Sequence, residues 1–259
     1  NYLTQEMSRH FIYDCSACLQ HRGTDFARKR LKIHLGRFYR RHGANGYVLR
    51  IDIKNYFGST RHDAACEESA RYIRDPWVLK HVQRIICSFN NGPDPEVGIA
   101  LVSQISQLIQ LAVLNKLDHK IVGDWHIKHY LRYMDDMILI HEDKEYLLRI
   151  LTLIEKELHV LGLEPNRKKT QVFPMSQPIP FLGFTFRVTD TGKVITRLQP
   201  EKYRNAKRRL RRQVHLAREG RLTKEKVDQC NQARMSHIRK TKSYKLVKDA
   251  EQYYEALWA

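Results

Sequence analysis

The stretch LRYMDDMILI, residues 131–140, places two adjacent carboxylates, Asp135 and Asp136, at the centre of a run that otherwise reads as a buried β-hairpin. A buried charge is costly unless it is paired or holds a metal, so something must offset these two. The plainer alternative is an exposed turn, where Asp is a common residue. What lies beside the hairpin in the fold decides between them.

Working outward, residues 144–161 carry Leu147, Ile150, Leu151, Ile154, Leu158 and Leu161 on one helical face, with Gly162 placed as a C-cap. On the other side, residues 104–118 repeat apolar positions at helical spacing. Residues 62–89 read as helical, and residues 90–98, NNGPDPEVG, as a loop. YVLRIDI, residues 47–53, is a short apolar run with the composition of a buried strand. A basic helix over residues 24–42, with Phe26, Leu31 and Leu35 on one side, precedes it and ends at GANG, residues 43–46. TQVFPM and IPFLGFTFRVT supply further strand material. The order is strand, helices, hairpin, helix, strand. This is the βαββαβ arrangement of a ferredoxin-like α+β sheet, in which the first strand lies beside the central hairpin.

That neighbour answers the opening question. Asp52 ends the first strand, so Asp52 and Asp135 are expected to face each other at one end of the sheet. Two such carboxylates repel unless cations lie between them. Two Mg²⁺ ions shared by carboxylates and substrate phosphates are the usual arrangement in polymerase sites.

The chain has 259 residues, with 46 Lys and Arg against 28 Asp and Glu, a formal net charge of +18. That balance points to a polyanionic partner, nucleic acid first and an acidic membrane surface second. Residues 201–226 hold 11 Lys and Arg and three Glu, either a solvated helical face or a subdomain that grips a phosphate backbone. No long apolar run or signal peptide is evident, so a soluble, cytoplasmic protein without a membrane partner is expected. The first residue is Asn1, which leads us to expect a fragment of a longer chain. Five scattered cysteines argue against a disulfide framework. Cys15 and Cys18 form one CxxC, but no second pair or nearby His pair completes a zinc set, so ordinary buried cysteines are expected.

Several blocks in order resemble the reverse transcriptases. YMDD at 133–136 is similar to the catalytic hairpin, and RIDIKNYFGS at 50–59 to the first catalytic block. GIALVSQISQ at 98–107 resembles the block entering the template-binding helix, LGLEPNRKKT at 161–170 the next, and FLGF at 181–184 the primer-grip hairpin. HRGTDFA at 21–27 resembles a fingers element. The wording is closest to the bacterial group that includes group II intron and diversity-generating retroelement enzymes, and the Ser-Gln at 106–107 leans towards the retroelement branch.

The resemblance implies a polymerase palm over 47–186, partial fingers over 1–46 and a helical thumb over 187–259. It implies RNA-directed DNA polymerase activity with two Mg²⁺ ions, Mn²⁺ being an alternative. RNA template, DNA or RNA primer and dNTPs are the implied partners, with an accessory protein of a retroelement as a further one. Asp52 and Asp135 become the main metal ligands, Asp136 the second hairpin acid, and Ile53 a carbonyl donor to the nucleotide metal. Phe57 matches the gate that excludes a ribose 2′-hydroxyl, and Gln107 falls in the nucleotide pocket. Lys169 is the implied proton donor to pyrophosphate, or else a solvated lysine. Phe181, Leu182 and Gly183 are implied to touch the primer backbone, or else simply fill the core. Arg208, Arg209, Arg211 and Arg212 are assigned to the template–primer duplex.

Two departures stand out. Ala100, Leu101 and Val102 occupy a place where relatives carry Pro, a variable residue and Gly, and β-branched Val102 adds bulk where backbone should approach closely. Only 51 residues precede Asp52. A catalytically impaired, maturase-type RNA-binding protein is therefore the alternative to the polymerase. A metal-dependent nuclease is a more distant third, because it leaves Phe57 and the primer-grip block unexplained.

Overall fold

The computed structural model describes residues 2–89, 94–101, 103–241 and 243–259. Residues 90–93 of the expected loop, and Val102, lie outside them. The chain divides into two compact units, one formed by residues 1–177 with 190–193, the other by residues 178–189 with 194–259.

The first unit opens with α1 (Tyr2–Ser8) and α2 (Thr24–His42), followed by β1 (Tyr47–Asp52). A one-turn helix α3 (Tyr56–Ser59) leads to α4 (His62–Tyr72) and α5 (Pro76–Cys87). The single helix expected over 62–89 is thus two. Pro76 cannot continue a helix but suits the first position of one, and Asp75 caps α5 by accepting from the Trp77 and Val78 amides at 2.8 and 3.1 Å. The expected 104–118 helix is likewise interrupted at Leu114, giving α6 (Gln104–Val113) and α7 (Asn115–His119), with a π-helical turn at Lys120–Asp124.

The hairpin follows as β2 (His129–Tyr133) and β3 (Asp136–His141), then α8 (Lys144–Val160) and β4 (Gln171–Pro174). The sheet order is β2-β3-β1-β4 and all pairings are antiparallel. This is the ferredoxin-like sheet, with β1 beside the hairpin as expected. Period-two alternation sorts its faces. Leu49 and Ile51 of β1 and Met137 and Leu139 of β3 join one core with Leu147, Ile150, Ile154 and Leu158 of α8. Burying each of those four α8 side chains contributes roughly 1.5–3 kcal/mol. The helix ends in a Schellman turn: Gly162 adopts φ 72°, its amide donates to the His159 carbonyl, and the Leu163 amide reaches back to Leu158 at 2.8 Å.

The second unit contains an antiparallel sheet, β5 (Ile179–Phe181), β6 (Phe184–Val188) and β7 (Val194–Leu198), and three helices, α9 (Pro200–Arg218), α10 (Lys224–Arg239) and α11 (Tyr244–Ala256). β7 was not anticipated. Its side chains are mostly half-buried and its five residues carry no strong alternation. The primer-grip segment around Phe181 clusters with this unit, whereas the expected boundary placed it with the sheet of the first. Among the described residues, no helix is long and apolar enough to cross a membrane.

Candidate active site

Asp52 closes β1, Asp136 opens β3, and Asp135 stands in the turn between β2 and β3. Asp52 is the direct register partner of Asp136 across β1 and β3, and Tyr133 pairs with Asp136 across the hairpin. Met134 and Asp135 therefore form the two-residue turn, with Met134 in the left-handed region at φ 54°. The Ile53 amide donates to the Asp135 carbonyl at 3.3 Å, tying that turn to the end of β1. The residue directly opposite Asp52 is thus Asp136, and Asp135 reaches the same end from the turn.

Burial raises the Asp135 carboxyl above its usual range, and repulsion from Asp52 adds to it. Asp136 is pushed up to about 6, because burial outweighs the Arg50 guanidinium beside it. That guanidinium donates from Nε and Nη2 to the two Asp136 oxygens at 3.0 and 3.2 Å. Lys169 Nζ lies 3.0 Å from both oxygens of Asp52, and Asn166 Nδ2 donates to one of them at 3.2 Å. The backbone reinforces this, since the Asn166 amide donates to the Asp52 carbonyl at 2.7 Å and the Lys54 amide to the Glu164 carbonyl at 2.9 Å.

This donor set fits hard divalent cations in part. Asp52 and Asp135 are oxygen donors that repel each other, the condition an intervening cation relieves. Asp136 fits only if its carboxylate leaves Arg50. Among the described residues, no three His, Cys, Asp or Glu side chains converge as a ready-made cage. Arg50 and Lys169 instead supply the positive charge.

The gate candidate sits close by. Tyr56 is buried and its hydroxyl donates to the Gln110 carbonyl at 2.5 Å, which anchors α3. The adjacent Phe57 ring is only half-buried, 5.9 Å from Tyr56 in an edge-on arrangement. The Phe57 carbonyl accepts from the Ile99 amide at 2.8 Å and Thr60 from Gly98 at 2.9 Å, so the first and second sequence blocks are joined directly. Gln107, on α6, accepts at Oε1 from the Cys18 thiol at 2.9 Å. Cys15 is buried.

Sequence reasoning missed the support beneath the turn. Arg132 and Asp118 are both completely buried, with Nη2 2.6 Å from Oδ2. Tyr130 donates to the same carboxylate at 2.6 Å, and Arg132 also donates from Nη2 to the Leu111 carbonyl and from Nη1 to the Met134 carbonyl, at 3.0 and 3.1 Å. A buried guanidinium therefore grips the left-handed residue that presents Asp135. The available signal was an Arg within the apolar strand HYLRY.

In the second unit, the Phe181 side chain is fully buried, so core packing accounts for it. Leu182 and Gly183, at φ 47° and 82°, form the hairpin tip and are both partly exposed. Of the four arginines, Arg208, Arg211 and Arg212 line one concavity of α9, while Arg209 lines another with Cys230 and Arg234 of α10.

The profile of the reverse transcriptase (RNA-dependent DNA polymerase) family matches residues 3–186. The chain belongs to the reverse transcriptase family. Solved structures agree in fold. Apo telomerase from Candida tropicalis superposes with a TM-score of 0.59 at 13% identity, covering 98% of this chain and 53% of that one. Candida albicans telomerase, solved with a fragment of telomeric RNA, gives 0.58 at 12% identity over 99% and 52%. A C-terminally truncated Candida tropicalis telomerase gives 0.54 at 16% identity over 68% and 40%. This reverse transcriptase chain spans about half or less of those telomerase chains. No curated protein matches it.

Proposed function

We propose that this chain catalyses RNA-templated, metal-dependent transfer of deoxynucleotides to a primer 3′ end. The observation that carries the reading is the placement of Asp52, Asp135 and Asp136 at one end of the sheet, Asp135 on a turn gripped by a buried arginine. The telomerases of similar fold include one solved with RNA, which supports an RNA partner for this chain.

The primer 3′-oxygen attacks the α-phosphorus of the nucleotide while the bond to the β-phosphate oxygen breaks and pyrophosphate leaves. Two divalent cations held by Asp52, Asp135, Asp136 and the Ile53 carbonyl would lower the 3′-hydroxyl pKa and neutralise the leaving group. Asn166 orients the Asp52 carboxylate. Lys169, once freed from Asp52, supplies a proton to pyrophosphate. Phe57 fills the space a 2′-hydroxyl needs, and Gln107 borders the nucleotide. Residues 1–46 act as partial fingers and the basic helices from α9 onward as a thumb that holds duplex through Arg208, Arg211 and Arg212. The Ser106-Gln107 pair favours the retroelement branch of bacterial enzymes.

A second reading is favoured by one observation: two of the three acids already have cationic partners, Lys169 and Arg50. On that reading the chain holds RNA without extending a primer. Primer extension on an RNA template, beside RNA binding, separates the two. Extension by the parent protein that disappears in Asp135→Asn with RNA binding intact supports the polymerase. A parent that binds RNA but extends nothing with Mg²⁺ or Mn²⁺ overturns it.

A further inference from the structure

The cations of α2 fall into two groups. Near its start, Arg28 pairs with Asp25 and Arg30 with Asp14. Near its end, Arg37, Arg40 and Arg41 have no carboxylate partner among the described residues. Nor does Lys128, just before β2. These four, with His34 and His129, surround a concavity of about 550 Å³ that no carboxylate lines. The acids nearby are already engaged. Asp14 holds Arg30 and lies 3.1 Å from His34 Nε2, and Glu142 lies 2.5 Å from His42.

Ordinary helix energetics explain only part of this. Cations in a last turn complement the helix dipole, which suits Arg40 and Arg41. Arg37 stands three and four positions from them, where like charges repel, and Lys128 comes from a different element. His129 adds no charge to offset or to share. Burial, reinforced by His34, Arg41, His42 and Arg37, holds its imidazole at about 4, so it is neutral at pH 7. Four unpaired cations from two elements around a hollow form a local field that attracts an anion.

We propose that this concavity is a phosphate site that holds a nucleic-acid backbone at the end of the four-stranded sheet opposite the catalytic turn. β2 separates the two, so the site lies roughly 15–20 Å from Asp135 at about 3.3 Å per residue. No Phe, Tyr or Trp lines the hollow to stack a base, whereas arginine forks match phosphate oxygens. Recognition there is of backbone charge and is independent of sequence.

The test needs neither divalent metal nor nucleotide, so it stands apart from the polymerase reading. Anisotropy of labelled single-stranded RNA is followed across a salt series with EDTA. Compared are the parent chain, Arg37→Gln/Arg41→Gln/Lys128→Gln, the single Lys128→Gln, and a control that loses the same charge elsewhere, Arg74→Gln/Lys80→Gln/Arg84→Gln. At about 0.7 per lost contact, the slope of log affinity against log salt should become shallower by about 2 in the triple variant and about 0.7 in the single one, with the control at the parental slope. An unchanged slope in the site variants, or an equal fall in the control, overturns the site. Calorimetric titration with tripolyphosphate separates the sources. Loss of tripolyphosphate binding without a change in the RNA slope would assign the hollow to free polyphosphate and overturn the backbone assignment. Should the triple variant fail to fold, Lys128→Gln decides alone, being an exposed position ahead of the strand. Primer extension on the same preparations reports polymerase failure separately.

Discussion

Arg132 and Asp118 form an ion pair in which neither side chain retains any exposed surface, and the same guanidinium holds the carbonyl of Met134. Breaking a buried pair from one side leaves an uncompensated charge, which costs about 3–5 kcal/mol. Asp118→Asn should lose that much in a urea titration. Replacing both partners, Arg132→Met with Asp118→Leu, should regain much of the stability, since no charge is stranded. Primer extension should stay impaired in the double variant, because the Met134 carbonyl has lost its donor. Recovery of extension along with stability would show that the pair serves folding alone.

Phe57 separates a DNA polymerase from a generic phosphotransferase. Its neighbour Tyr56 is the buried aromatic of the pair, while Phe57 is only partly buried and packs at the edge of the core. Phe57→Val should raise the kcat/KM for ribonucleotides relative to deoxynucleotides and reduce the deoxynucleotide rate only modestly. A parallel fall in both rates with a lower melting temperature would mean that the ring is a core residue.

The arginines of α9 should not behave alike. Neutralising Arg208, Arg211 and Arg212, which share a concavity, should flatten the salt dependence of duplex binding by up to about 0.9 per lost phosphate contact for B-DNA. Arg209→Gln, in the concavity shared with α10, should leave that slope nearly unchanged. Equal effects from all four would indicate a solvated face with no preferred side.

His129 gives the stability curve an acid limb. Its imidazole is held at about 4 against 6.5 in the free side chain, so unfolding takes up a proton between those values. The contribution is fully present above pH 6.5 and is lost as pH falls towards 4. The upper bound is about 3 kcal/mol, discounted because the ring keeps some solvent contact. Urea midpoints for the parent and His129→Asn should converge as pH drops from 7 to 4.5. Identical pH dependence in the two proteins would refute the assignment.

The convergence of Asp52 with the hairpin was legible because strand order alone places β1 beside β3. The cations that neutralise the acids were less so. Lys169 could be singled out by its block, but that it reaches Asp52 depends on how the chain returns after α8. The Arg132–Asp118 pair joins residues from a helix end and a strand, so neither periodicity nor spacing links them. Asp75-Pro76 was a readable helix start within the stretch 62–89 that was read as helical throughout. The opening question has a twofold answer in the fold: Asp136 is buried against Arg50, while Asp135 is carried on a turn.

The Gly162 turn does more than finish α8. From it the chain runs through Glu164, which bonds Lys54, to Asn166 and Lys169, which bond Asp52. The helix therefore works as a threaded spacer whose pitch sets where the two groups land. Adding one residue to α8 would rotate everything beyond it by about 100° and advance it about 1.5 Å. Asn166 and Lys169 would then miss Asp52 although no catalytic residue had changed. On this segment selection acts on residue count before residue identity, so substitutions on the outer face of α8 should be common among working variants and single-residue insertions should be absent.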